Sequence, residues 1–143
     1  MQNESTPYRP PFIDYRPLHI LHLDDQKLFA TGVEKIITVA FPLARITNIK
    51  NGYEALGFVV NSLSNSVIID LIITDYNHPG LNGVEFCKNV RVIERSHGKI
   101  PIIFLTMVDN VPIKQQALSF SNVKFLLKVT EADEINWTVM AVI

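Results

Sequence analysis

The chain has 143 residues, 48% of them apolar and 19% charged. That length suits one domain at roughly 100–200 residues per domain, with a core large enough to stand without disulfide staples. Thirteen Lys and Arg against fourteen Asp and Glu leave a net charge of −1, which argues against a nucleic-acid surface and against an acidic disordered tail. A single cysteine, Cys87, excludes an internal disulfide and fits a reducing compartment, so a cytoplasmic location is expected. No apolar run reaches the roughly 18 residues of a membrane span. The N-terminus lacks the basic start and apolar stretch of a secretion signal.

Four of the eight prolines, Pro7, Pro10, Pro11 and Pro17, precede Leu18. Proline fixes φ and removes a backbone donor, so residues 1–17 read as an extended arm ahead of a domain over 18–143. The arm is either a loose tail or a segment packed on the domain or a neighbour through Phe12, Ile13 and Tyr15.

From Leu18 the pattern changes. LHILHL is a short apolar-rich run ending at Asp24-Asp25, as a buried strand would. Phe29, Val33, Ile36, Ile37 and Ala40 follow at the spacing of one helix face, and Pro42 marks its end. ARITNI reads as a second strand and Asn51-Gly52 as a turn. Leu56, Val59, Val60 and Leu63 repeat the helical spacing. VIIDLIIT, rich in β-branched residues, reads as a third strand ending at Asp75. NHPGLNG is a loop by composition, and Asn82 is placed to cap a helix carrying Phe86, Val90 and Ile93. IPIIFLT predicts a fourth strand, Ile113, Ala117 and Leu118 a weaker helix, and VKFLLK a fifth strand. Thr130-Glu131-Ala132-Asp133 opens a last helix with Ala132, Ile135, Val139 and Val142 on one face. Five βα units with two-faced apolar strands imply an α/β fold: a doubly wound, flavodoxin-like, five-stranded parallel sheet with helices on both faces.

In such a sheet the ligand site lies outside the carboxyl ends of the strands. Asp24-Asp25 stand at the end of the first strand, Asp75 of the third, Thr106 of the fourth and Lys128 of the fifth. Three adjacent carboxylates repel one another, and a hard divalent cation such as Mg²⁺ relieves the repulsion through oxygen ligands. Lys128 can supply a point charge to a phosphoryl oxygen and Thr106 a hydroxyl donor. No His or Cys stands at another strand end to activate either, whereas a carboxylate can itself attack phosphorus, which points to Asp75. Taken singly, each residue has a plainer reading. Asp24-Asp25 could be a strand-end turn with a helix cap, Asp75 an Asx turn, Thr106 an ordinary strand residue and Lys128 a solvated lysine. Their joint placement on one rim is what argues for phosphoryl chemistry. His19, His22, His78 and His97 lack metal-ligand spacing and read as surface, strand or loop histidines, and Cys87 reads as a small core residue.

These residues resemble the receiver domain of two-component response regulators, the CheY-like superfamily, over residues 18 to 143. The acidic pair of ILHLDDQ is similar to the family's metal-binding doublet. LIITDYNHPGLNG is similar to the phosphoacceptor strand and following loop, with Asp75, Pro79, Asn82 and Gly83 matching. Thr106 in FLT occupies the place of the switch Thr/Ser, and KFLLK carries the aromatic-x-x-Lys pattern in Phe125 and Lys128. The resemblance implies that Asp75 accepts a phosphoryl group from a histidine kinase or a histidine phosphotransfer protein. It implies Mg²⁺ held by Asp25, Asp75 and the backbone carbonyl of Asn77, with Asp24 acting through a water, and Lys128 and Thr106 on phosphoryl oxygens. Thr106 and Phe125 would then shift together and repack the face of the fourth helix, fifth strand and fifth helix. That face would bind a downstream protein target or a second copy of the chain, without nucleic acid or membrane. The domain would be a signalling switch and not an enzyme beyond its own phosphotransfer and dephosphorylation.

The sequence departs from the family pattern at His78, where an apolar residue is usual, at Met107, where a small one is, and at Val129, where proline is. The Lys128–Val129 bond is therefore expected either trans with a shifted Lys128 loop or strained in cis. FSNVKF replaces the usual Gly-Ala before the switch aromatic. Two other functions compete: a receiver-like scaffold that binds partners without phosphorylation, and a Mg²⁺-dependent phosphohydrolase with an aspartyl nucleophile. The hydrolase would want D-x-D on one strand, whereas adjacent Asp24 and Asp25 point to opposite sides of an extended backbone.

Overall fold

The computed structural model describes residues 7–95 and 99–143. Ten elements alternate along it: β1 (His19–Leu23), α1 (Lys27–Ala40), β2 (Arg45–Ile49), α2 (Gly52–Ser64), β3 (Leu71–Thr74), α3 (Gly83–Glu94), β4 (Ile102–Thr106), α4 (Val111–Leu118), β5 (Val123–Leu127) and α5 (Ala132–Val142). The strands form one parallel sheet in the order β2-β1-β3-β4-β5. This is the doubly wound (βα)5 fold that the alternation predicts.

The period of two along each strand sends alternate side chains into two separate cores. Leu21, Leu23, Ile72, Ile102, Phe104 and Val123 join Ala55 and Val59 of α2, Phe86, Cys87 and Val90 of α3 and Ala117 of α4. Ile20, Leu71, Ile73, Ile103 and Leu105 join Val33 and Ile37 of α1 and Ile135 and Val139 of α5. The chain winds outward from β1 to β2, then returns to place β3 on β1's other side. The crevice between β1 and β3 is the topological switch point, where an open parallel sheet binds its ligand.

Local chemistry fixes the helix starts. Asn82 and Glu85 form a reciprocal capping box that begins α3 next to the loop after β3. Asn51-Gly52 is not a free turn: Asn51 caps α2 by accepting from the amides of Tyr53 and Glu54, and Gly52 is its first helical residue. A Cβ on Gly52 would collide with the Leu81 backbone, so the helix start packs directly on the loop leading into α3. The third strand is shorter than VIIDLIIT: Ile68 is exposed, and Asp70 accepts the amide of His19 in place of a ladder partner.

Residues 7–17 of the arm pack on the domain through one of the three expected residues, Phe12, and not through the other two. Ile13 and Tyr15 are exposed. Phe12 instead sits edge-on to Phe41 at 5.4 Å and tilted against Trp137 at 4.7 Å, between α1 and α5. Tyr8 donates its hydroxyl to Asp133 at 2.5 Å, and Asp14 donates its amide to Ala40. Extended backbone alternates its side chains, so anchoring Phe12 turns Ile13 outward. Two of the four histidines are core residues. His19 bridges Ile68 and Thr47, and His22 is fully buried in β1. His97 lies outside the described residues. Cys87 is buried, and burial pushes its thiol up to about 11.

Candidate phosphoacceptor site

At the carboxyl edge of the sheet a cavity of about 480 Å³ is lined by Asp25, Gln26, Asp75, Asn77, His78, Pro79, Thr106, Met107 and Val108. β1 delivers Asp24 and Asp25 just past Leu23, in opposite environments. Asp24 is fully buried, with one oxygen accepting the Gln26 amide at 2.8 Å, while Asp25 is exposed on the cavity wall. β3 delivers Asp75, which is 6% exposed and accepts the amide of Tyr76 at 2.7 Å. From β5, Lys128 reaches back over the sheet edge. Its Nζ lies 2.9 Å from Asp24 Oδ2 and 2.9 Å from Asp75 Oδ2.

The Lys128–Val129 bond is trans, since no described peptide bond is cis. Lys128 is nevertheless aimed into the cluster: its amide donates to the Thr106 carbonyl, which ties the end of β5 to the end of β4. Val129 itself is exposed.

The electrostatics follow from burial. Loss of water raises the Asp24 carboxyl above its ordinary range, against the opposing pull of the Gln26 amide and Lys128. Burial works against the Lys128 ammonium, but its hydrogen bonds to Asp24 and Asp75 outweigh that and raise its pKa. His22, beneath the cluster, is pushed down to about 4 by burial and then by Lys128, so it is neutral. Two carboxylates, Asp24 and Asp75, thus share one ammonium.

Thr106 is buried at the cavity wall, its Oγ1 accepting the amide of Val108 at 3.2 Å. Phe125 is half-buried, stacked on Phe104 at 6.0 Å, with the Lys114 ammonium 5.9 Å from its ring centre. Of the departures, Met107 is exposed on the cavity rim. His78 lines the cavity with Nε2 3.4 Å from Thr74 Oγ1, and burial holds its pKa below the usual imidazole value. Two residues around Lys128 escape sequence reasoning: the amide oxygen of Gln26 and the ring of Phe29, 4.4 Å from Nζ at its centre. Neither carries a motif, and only folding brings them to the lysine tip.

A family model, the response regulator receiver domain, matches residues 20–139. This chain belongs to the response regulator receiver domain family. It is similar to the cyclic di-GMP phosphodiesterase response regulator RpfG of Xanthomonas campestris, at 32% identity over 82% of this chain and 30% of the relative. It is also similar to the two-component response regulator ARR17 of Arabidopsis thaliana, at 33% identity over 68% of this chain and 65% of the relative. The chain therefore spans less than two thirds of these curated relatives. Among solved structures, the chemotaxis response regulator CheY4 of Vibrio cholerae superposes with a TM-score of 0.70 at 23% identity, over 90% of this chain and all of that one. A DNA-binding response regulator of the LuxR family from Staphylococcus aureus superposes with a TM-score of 0.73 at 20% identity, over 87% of this chain and 98% of that one. These establish a receiver domain of two-component signalling. No helix among the described residues is long and apolar enough to cross a membrane.

The family generally uses Mg²⁺, and the donor set here fits it. The carboxylates of Asp25 and Asp75 and the carbonyl oxygen of Asn77 are hard donors on residues that line one cavity. Among the described residues no three His, Cys, Asp or Glu side chains group to hold an ion by themselves.

Proposed function

We propose that Asp75 is the phosphoacceptor of this receiver domain and takes a phosphoryl group from the phosphohistidine of a kinase or phosphotransfer protein. The observation that carries this is the ammonium of Lys128, 2.9 Å from both Asp24 and Asp75, where Asp75 also lines the cavity with Asp25, Asn77 and Thr106. One Asp75 oxygen attacks phosphorus. The O–P bond forms, the N–P bond of the donor breaks, and the imidazole nitrogen keeps the electron pair. Asp25, Asp75 and the Asn77 carbonyl would hold Mg²⁺, with Asp24 orienting a water on it; when bound, the cation neutralises charge on the transferring group. Lys128 then holds a phosphoryl oxygen, and positioning and charge stabilisation carry the catalysis.

The bound phosphoryl group gives Thr106 a new acceptor. Its hydroxyl turns toward it, releasing the Val108 amide, and Phe125 moves inward beside Phe104. This repacks the α4-β5-α5 face, which would engage a downstream protein target or a second copy of the chain. A coupling of about 1–3 kcal/mol is enough to bias such a surface. The domain would act in the cytoplasm, with its 1–17 arm as an extension of the 18–143 receiver.

The deciding experiment is incubation with Mg²⁺ and a small phosphodonor, read by intact mass. The wild type is expected to gain one phosphoryl group and Asp75→Asn none. A wild type left unmodified, even with a competent kinase, would leave the domain a partner-binding scaffold and defeat the proposal.

A further inference from the structure

We infer that Gln26 regulates the reactivity of this site, acting as an exchangeable third acceptor that holds Lys128 back from an incoming phosphoryl group. The inference rests on Asp75 being the phosphoacceptor and concerns what controls its rate.

Three oxygens surround the Lys128 ammonium in this structure, two of them in ion pairs and one in a hydrogen bond. Two are the carboxylates of Asp24 and Asp75, each 2.9 Å away. The third is Gln26 Oε1, at 2.5 Å. The Phe29 ring lies 4.4 Å from the same nitrogen and closes a further approach. A phosphoryl oxygen that approaches the ammonium therefore competes with these neighbours for it.

Gln26 is the partner that leaves at least cost. Asp24 is fully buried, so giving up the ammonium would leave a buried carboxylate without its counter-charge. Asp75 is 6% exposed and faces the same penalty. Gln26 is neutral and exposed, so water takes over its amide as it swings out. A phosphoryl oxygen carries net negative charge and an amide oxygen does not, so Coulomb attraction draws the ammonium more strongly to the phosphoryl group. A charged phosphoryl oxygen thus displaces the amide.

The position of Gln26 supports this role. It is the N-cap of α1, where a side chain ordinarily accepts from the helix amides, yet its side chain makes no capping bond. The Gln26 amide itself is taken by Asp24, at 2.8 Å. One residue thereby touches both ends of the charge cluster: its backbone fixes Asp24, and its side chain occupies Lys128. Gln26 is a positioning residue, since it acts through Lys128.

The test uses the whole chain with Mg²⁺ and acetyl phosphate. In this reaction the phosphorus–oxygen bond to the acetyl group breaks, acetate leaves with the electron pair, and the bond to an Asp75 oxygen forms. Gln26→Met keeps the side-chain length and removes the acceptor; Gln26→Glu keeps an acceptor and adds charge. The second-order rate of phosphorylation is expected to rise roughly three- to tenfold in Gln26→Met, the factor represented by one hydrogen bond of ordinary net strength. In Gln26→Glu it is expected to fall by at least as much. The companion measurement is proton exchange at the Lys128 ammonium by ¹⁵N NMR, which needs no phosphorylation. Exchange should quicken in Gln26→Met and slow in Gln26→Glu. Equal rates in all three proteins, or a shift of both variants in the same direction, would overturn the inference. A wild type that takes up no phosphoryl group defeats the function proposed above instead. The Lys128 exchange rates then decide by themselves whether Gln26 holds the ammonium, and no change in Gln26→Met refutes it.

Discussion

His22→Leu should make this protein more stable, and increasingly so as the pH falls. The His22 side chain lies in the middle of the sheet, fully buried, with neither ring nitrogen hydrogen-bonded. An unsatisfied buried polar group costs about 1–3 kcal/mol. Leucine is of similar volume and matches its neighbours on this face of the sheet, Ile20 and Ile73, so most of that cost is recovered. Protonation adds a second cost. Burial and Lys128 hold the imidazole at about 4, against 6.5 in the unfolded chain; Asp24, whose Oδ2 is 3.9 Å from Nε2, and Asp75 do not offset this. Between these values the unfolded state binds the proton and the folded state does not. The wild type therefore loses stability as pH falls from 6.5, and the loss is complete below about 4. At pH 5 the loss is about 2 kcal/mol, from about 1.4 kcal/mol per pH unit below 6.5. Urea unfolding of both proteins, followed by Trp137 fluorescence, measures the difference. The variant should lead by about 1–3 kcal/mol at pH 7.5 and by about 2 kcal/mol more at pH 5. A lead that does not change with pH, or a variant less stable at pH 7.5, would refute the reasoning.

Two further predictions concern packing. Phe12→Ala removes the ring wedged between Phe41 and Trp137, so stability should drop by about 1–2 kcal/mol and Trp137 emission should shift; unaltered emission would mean the arm does not pack there. Gly83→Ala puts a methyl group 2.5 Å from the Asp75 carbonyl oxygen and 2.8 Å from the Phe104 ring, so it should lower stability by about 2 kcal/mol or more and slow phosphorylation. A wild-type melting temperature in that variant would contradict the close approach.

The sequence by itself determined the layered architecture and the rim on which the chemistry gathers. Strand polarity and apolar period are local properties, and in a parallel sheet every strand brings its carboxyl end to one edge. Asp24, Asp25, Asp75, Thr106 and Lys128 could thus be assigned to one edge before any coordinates. Tertiary structure decided what happens between side chains distant in sequence. It buried Asp24 and left Asp25 on the cavity wall, and it brought the Lys128 tip to Gln26, 102 residues away. It also chose Phe12 over Ile13 and Tyr15 as the arm's anchor. It placed His22 where the LHILHL pattern shows only a strand position. Periodicity says which face a residue takes. Which atoms meet there, and whether water reaches them, depends on packing between segments that no local pattern encodes.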